Sequence, residues 1–196
     1  KDGKLYGLPR NTDIMVFYYN EKMFDDNGWE VPQTYDDLLA LSDQINAAGI
    51  VPVAMDGGDG WVLACYMQDL MVRIAQTPAG TISDAIANGD FSDPLFSEAA
   101  QLLADTASAG VFQTGFDYQD YGTAQNLFTN GQAAMFYMGS WETSIPLNED
   151  IPEEVRDNIR AFVMPAVADG KGTATDLAAW NGGGYAVSAD SKVKDE

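Results

Sequence analysis

Four tryptophans and a few loop carboxylates are the side chains of this 196-residue sequence best suited to recognising or transforming a small molecule. Asp13 stands just ahead of the apolar run IMVFYYN. Asp56 and Asp59 share the loop MDGGDGW with Trp61. Trp141 follows Gly139 and Ser140 at the end of the run AAMFYM, and Trp180 precedes Asn181 and the glycines Gly182, Gly183 and Gly184. A carboxylate beside an exposed indole suits carbohydrate. The carboxylate accepts two hydrogen bonds from neighbouring hydroxyls, each worth roughly 1.5–3 kcal/mol when charge-assisted and desolvated. The indole covers the apolar C–H face of a sugar ring, contributing roughly 1–3 kcal/mol. Each residue also has a plainer account. Asp13 caps a turn, Asp56 and Asp59 form one, Trp61 and Trp141 fill core, Trp29 is a surface staple beside Pro32, and the glycines lead flexibly into a strand.

The totals remove several classes of chemistry. Ten basic residues stand against 30 acidic ones, a formal charge of −20. Such a field repels polyphosphates, so nucleic acid is not an expected partner. The chain has no histidine and a single cysteine, Cys65, which argues against zinc centres, disulfide frameworks and histidine-based acid–base catalysis. No metal or cofactor is expected. Two-carboxylate glycoside hydrolysis survives, with Asp13 and Asp59 as the candidate pair, since it needs two acids roughly 5–10 Å apart. A cationic or peptide ligand also remains open, because aromatic boxes hold cations. No apolar run approaches the roughly 18–20 residues of a membrane span.

The elements that position these residues follow from apolar spacing. Buried strands are expected over 14–20, 50–55, 133–138, 160–165 and 182–189. A short helix ends at Gly28, and a second runs from Thr34, its N-cap with Asp37 three residues on, to Gly49. Further helices are expected over 60–75, from Pro94 to Gly110 and up to Gly131, with a short one after Trp141 broken at Pro146. IPEEVRDNI reads as a charged turn and VADGKGTATDLAAW as a polar excursion. Alternating strands and helices predict an α/β layered sheet with flanking helices. Ligands in such sheets gather at the carboxyl ends of strands, where Trp61 and Trp141 fall.

Taken in order, GKLYGLPRNTDIMVFYYNEKMFDDNGWEVPQTYDDLLALSDQINAAGIVPVAM, LFTNGQAAMFYMGSW and GGGYAVSADSK resemble successive landmarks of the family 1 extracellular solute-binding proteins. These are the maltose-binding-protein-like sugar receptors of bacterial ABC importers. The resemblance covers almost the whole chain. It implies one lobe of a two-lobed periplasmic-binding-protein-like fold, with residues 1–12 as the incoming crossing strand, 13–164 as the second α/β lobe and 165–196 as a return segment of the hinge and first lobe. Most of the first lobe would then precede Lys1, and C-terminal helices would follow Glu196. It further implies a non-enzymatic monomer that captures a carbohydrate and delivers it to ABC permease subunits. The location would be extracellular, either lipid-anchored at the cell surface or periplasmic. Carried over by position, the ligand-binding residues are Asp13, Asp59, Trp61, Trp141, Trp180, Asn181 and Gly183.

Overall fold

A computed structural model describes residues 5–192 of the chain. Its sheet is built on two strands that are buried on both faces and therefore apolar almost throughout. These are β2 (Thr12–Asn20) and β4 (Ala133–Gly139), every residue of β4 being buried. They pair antiparallel, with Met15 opposite Gly139 and Tyr19 opposite Met135. β3 (Val51–Ala54) lies parallel to β4, and β5 (Ile159–Phe162) lies antiparallel to β2, giving the order β3-β4-β2-β5. β6 (Ala179–Asn181) pairs with the beginning of β2, placing Trp180 opposite Asp13. β1 (Leu8–Pro9) and β7 (Gly184–Tyr185) form a separate two-stranded ladder.

Seven α-helices accompany these strands among the described residues. They are α1 (Glu21–Asn27), α2 (Tyr35–Ala47), α3 (Trp61–Ala75), α4 (Ala79–Asn88), α5 (Pro94–Ser108), α6 (Tyr121–Thr129) and α7 (Glu153–Arg156). Their ends carry the expected side-chain signals. The Thr34 side chain accepts from the Asp37 amide while Asp37 accepts from the Thr34 amide, a reciprocal capping box. Asp120 accepts from the Thr123 amide and fixes where α6 begins. Short 3₁₀ turns cover Phe116–Tyr118 and Ser140–Leu147.

Several expectations are corrected. Trp29 is buried and meets Phe24 edge-on, so it belongs to the core and is no surface staple. Residues 79–88, which the apolar pattern left without an element, form α4. The charged stretch near 153 closes one helical turn, α7. Pro146 sits inside the 3₁₀ turn and does not break it. The last strand is two residues long rather than eight, and β6 emerges from what read as a polar excursion.

That excursion has a physical task. The last carbonyls of a helix lack partners within it, and at α3 they are met from outside: the Lys171 amide donates to Ile74 O and the Gly172 amide to Arg73 O. A Cβ on Gly170 or Gly172 would strike the α3 backbone, so only glycine permits this approach. Arg73, 1% exposed, completes the joint. Its Nε donates to Met164 O at 2.7 Å, and one terminal nitrogen donates to Asp176 O. Residues 164–176 are thereby tied to α3 and bring β6 back to β2.

Candidate functional site

β3 and β4 run parallel and finish on one edge of the sheet; β2 runs the other way and begins there. This arrangement gathers residues far apart in sequence. Asp13 lies at the start of β2, Ser140 and Trp141 follow β4, and the loop 56–60 follows β3 into α3, which opens with Trp61.

The indoles form a continuous row. Trp61 and Trp141 lie with ring centroids 5.8 Å apart, and Trp141 meets Trp180 edge-on at 6.3 Å. Tyr121 extends the row, nearly parallel to Trp61 at 6.3 Å. Its hydroxyl accepts a hydrogen bond from Trp141 Nε1 at 3.1 Å. Trp61 and Trp141 remain 38% and 37% exposed, so part of each residue is open to solvent; Trp180 is half-buried. Gly139 is what lets Trp141 lie this way, because a Cβ there would overlap the indole carbons.

The acids divide by environment. Asp13 is 8% exposed. Its Oδ1 accepts from Asn11 Nδ2 at 2.5 Å and from Ser140 Oγ at 3.4 Å, while the same Ser140 Oγ accepts from the Ile14 amide. Oδ2 lies against Gly182, where any Cβ would collide with it. Asp13 thus clamps the strand ends that carry Trp141 and Trp180. Asp59 is exposed, and its amide donates to Oδ1 of the buried Asp56. Burial raises the Asp56 carboxyl above the usual carboxylate range. Asn181 and Gly183 are exposed beyond Trp180. The Gly183 carbonyl accepts from the Arg10 amide at 2.9 Å, joining the 182–184 segment to the stretch between β1 and β2.

The structure therefore brings Asp13, Trp61, Trp141 and Trp180 together, with Asn181 at the end of β6 and Asp59 and Gly183 on adjoining loop segments. Sequence reasoning missed Asn11, Tyr121, Gln125, Ser140 and Glu142. Glu142 is 4% exposed, accepts from Gln125 Nε2 at 2.8 Å, and burial pushes its carboxyl up to about 7. Tyr121 and Gln125 sit four apart on α6, so one helix face holds both Trp141 and Glu142. Only the aromatic at the α6 N-terminus, next to its Asp120 cap, was a visible signal. Among the described residues no cluster of three or more potential metal ligands occurs, and no helix is long and apolar enough to cross a membrane.

The fold is a layered α/β sheet with a row of indoles at one end of its strands. The chain belongs to the bacterial extracellular solute-binding protein family, whose sequence model matches residues 1–196. It is 27% identical over 199 residues to the multiple sugar-binding protein of Streptococcus mutans, covering 97% of this chain and 44% of that one. A solved structure from a study of xylan utilization by the thermophilic bacterium Caldanaerobius polysaccharolyticus is 30% identical with a TM-score of 0.87, over 100% of this chain and 49% of that one. A chitin oligosaccharide binding protein is 28% identical with a TM-score of 0.83, over 98% and 47%. The chain thus spans a little under half the length of these relatives.

Proposed function

We propose that the chain forms one lobe of a receptor that captures a neutral carbohydrate and delivers it to the permease of an ABC importer. Residues 13–164 make the lobe, 165–181 return along α3 and β2, and the stretches 5–12 and 182–192 are read as parts of the segments that cross to a partner lobe. The observation that carries the reading is the row Trp61–Trp141–Trp180, held at one sheet edge with ring surface still open. Trp61, Trp141 and Trp180 act as platforms for the C–H faces of sugar rings, and Asp59, Asn181 and the Gly183 backbone offer partners to hydroxyls. Asp13 is given a positioning role, since its carboxylate is already engaged by Asn11 and Ser140. Closure of two lobes on the ligand produces the form that a permease recognises. An extracellular or periplasmic location goes with the family, and we assign a monomer, held at the cell surface by a lipid anchor where there is no periplasm.

Binding without turnover is favoured by the same geometry. Hydrolysis needs two carboxyls free to exchange protons across the scissile bond, whereas Asp13 is enclosed and Asp59 lies on a solvent-exposed loop. The test is calorimetric titration of the full-length protein with neutral mono- and oligosaccharides, with spermidine and chromogenic glycosides as comparisons. Saturable sugar binding with the sugar recovered intact is expected. Glycoside cleavage, or binding of spermidine alone, would overturn the proposal.

A further inference from the structure

The loop between β3 and α3, residues 55–60, holds a buried acid to which the proposed function gives no role. Asp56 has no exposed surface, and its Oδ1 accepts from the Asp59 amide at 3.1 Å. Its Oδ2 is buried as well and has no hydrogen-bond partner. An ionised carboxylate oxygen buried without a donor is costly, and taking up a proton removes the cost.

The loop has little freedom to relieve that oxygen by moving. Gln113 grips Met55 twice, its Oε1 accepting from the Met55 amide at 2.9 Å and its Nε2 donating to Met55 O at 2.7 Å. The Gly57 amide donates to Phe116 O and the Gly58 amide to Gln119 O. A Cβ on these glycines would stand 2.7 and 2.9 Å from the same two carbonyl oxygens, so the loop is pressed against residues 116–119.

The charged groups facing Asp56 are acids. The Asp59 side chain is its hydrogen-bonding neighbour within the loop, and Asp120 acts on it from the start of α6. No ion pair among the described residues engages either loop acid. Burial raises the Asp56 carboxyl, the Asp59 and Asp120 charges push it the same way, and the Asp59 amide opposes them. Two carboxyls in contact without a counter-ion are best accommodated by sharing one proton.

We propose that Asp56 is a positioning residue: it holds a proton on Oδ2, donates it to the Asp59 carboxylate, and so aims the other Asp59 lone pairs at a ligand hydroxyl. The inference rests on the carbohydrate reading, which makes Asp59 a hydroxyl acceptor. The proton comes from solvent and no other bond changes. Held this way, the pair carries one negative charge rather than two, which suits a neutral ligand better than a cation. When the proton leaves at higher pH, the new buried charge repels Asp59 and the ligand loses an ordered partner.

Two measurements on the full-length protein test this. Carbon-13 NMR of labelled aspartate carboxyls, from pH 3 to 8.5, reads the proton without any ligand. Asp56→Asn should delete a resonance that titrates above the ordinary 3.8, and Asp59→Asn should move that resonance to lower pH. A deleted resonance that titrates at or below 3.8 overturns the proposal. Calorimetric titration with the tightest-binding saccharide reads the consequence. Natural affinity should fall at least threefold between pH 4.5 and 8.5. Asparagine carries a permanent N–H donor where the proton would sit. Asp56→Asn should therefore match the natural protein within twofold at pH 4.5 and bind at least threefold tighter than it at pH 8.5. Asp56→Ala, which lacks the donor, should lose at least fivefold at pH 4.5. Natural and Asp56→Asn profiles that run parallel, or an Asp56→Asn loss as large as that of Asp56→Ala, overturn the proton's role and leave the carbohydrate reading intact. Absence of saccharide binding at every pH overturns the carbohydrate reading, and the positioning role with it.

Discussion

Replacing Trp141 by alanine separates the platform reading from a packing reading. With 37% of the residue exposed, a side chain of ~250 Å² leaves about 90 Å² open to a ligand. Covering half to all of that surface at ~25 cal/mol per Å² contributes about 1–2 kcal/mol to binding. The expected loss is therefore on the order of five- to thirtyfold in affinity. The buried two thirds of the ring carries a separate cost. Trp141 meets Trp61 and Trp180 and donates to Tyr121; two aromatic contacts and a hydrogen bond amount to about 2–3 kcal/mol. Stability thus falls along with affinity, by several degrees in melting temperature, and the assay must keep the variant folded. Calorimetric titration at 15 °C, well below the melting transition, with the tightest-binding saccharide of the natural protein isolates the affinity term. Tyr121→Phe is the companion variant: it removes the acceptor of the indole N–H and keeps both rings, so affinity should stay within about threefold. If Trp141→Ala melts early yet binds within twofold of the natural protein, the indole is core packing and the platform argument fails.

Gly139→Ala should reproduce much of this affinity loss without touching any ring, because the new methyl overlaps the Trp141 indole and forces it aside; titration and tryptophan fluorescence together check it. Arg73→Ala strips partners from Met164 O and Asp176 O and leaves a cavity around a side chain that is 1% exposed. We expect a loss of about 3–5 kcal/mol, read by urea denaturation, with faster hydrogen exchange across 164–176. Stability should also fall as pH rises from 5 to 8. Burial pushes the Asp69 and Glu142 carboxyls up to about 7, above the ordinary values of 3.8 and 4.5. Between about pH 4.5 and 7 the folded chain therefore holds protons that the unfolded chain has released, and that stability is lost as pH climbs through the folded values. Asp37, Asp90, Asp120 and Asp176 shift downward, so they act in the opposite sense only near and below their ordinary 3.8. Glu142→Gln should flatten the slope by about 1–2 kcal/mol over this range, allowing for screening; thermal melts from pH 5 to 8 that show no difference would refute its assignment.

Much of the scaffold was legible from local pattern alone. The doubly buried strands β2 and β4 announce themselves as apolar runs, and the Thr34–Asp37 capping box marks a helix start, because these signals are carried by residues close in sequence. The ordered landmarks pointed to the family for a related reason, since each is a contiguous segment. Composition also excluded histidine chemistry and made nucleic acid an unfavourable partner.

Tertiary structure alone decided which of those side chains meet. Trp61, Trp141 and Trp180 lie 119 residues apart from first to last, and their contact depends on β2 running against β4 while β3 runs with it. No local periodicity encodes that pairing. The same holds for Asp13, which reads as a free ligand acid in sequence and becomes a clamp once Ser140 and Asn11 fold onto it. It holds again for Trp29, whose apparent surface place disappears when Phe24 turns toward it. Strand order and burial are properties of the assembled sheet: they arise from long-range packing, and they turn scattered indoles into one continuous face.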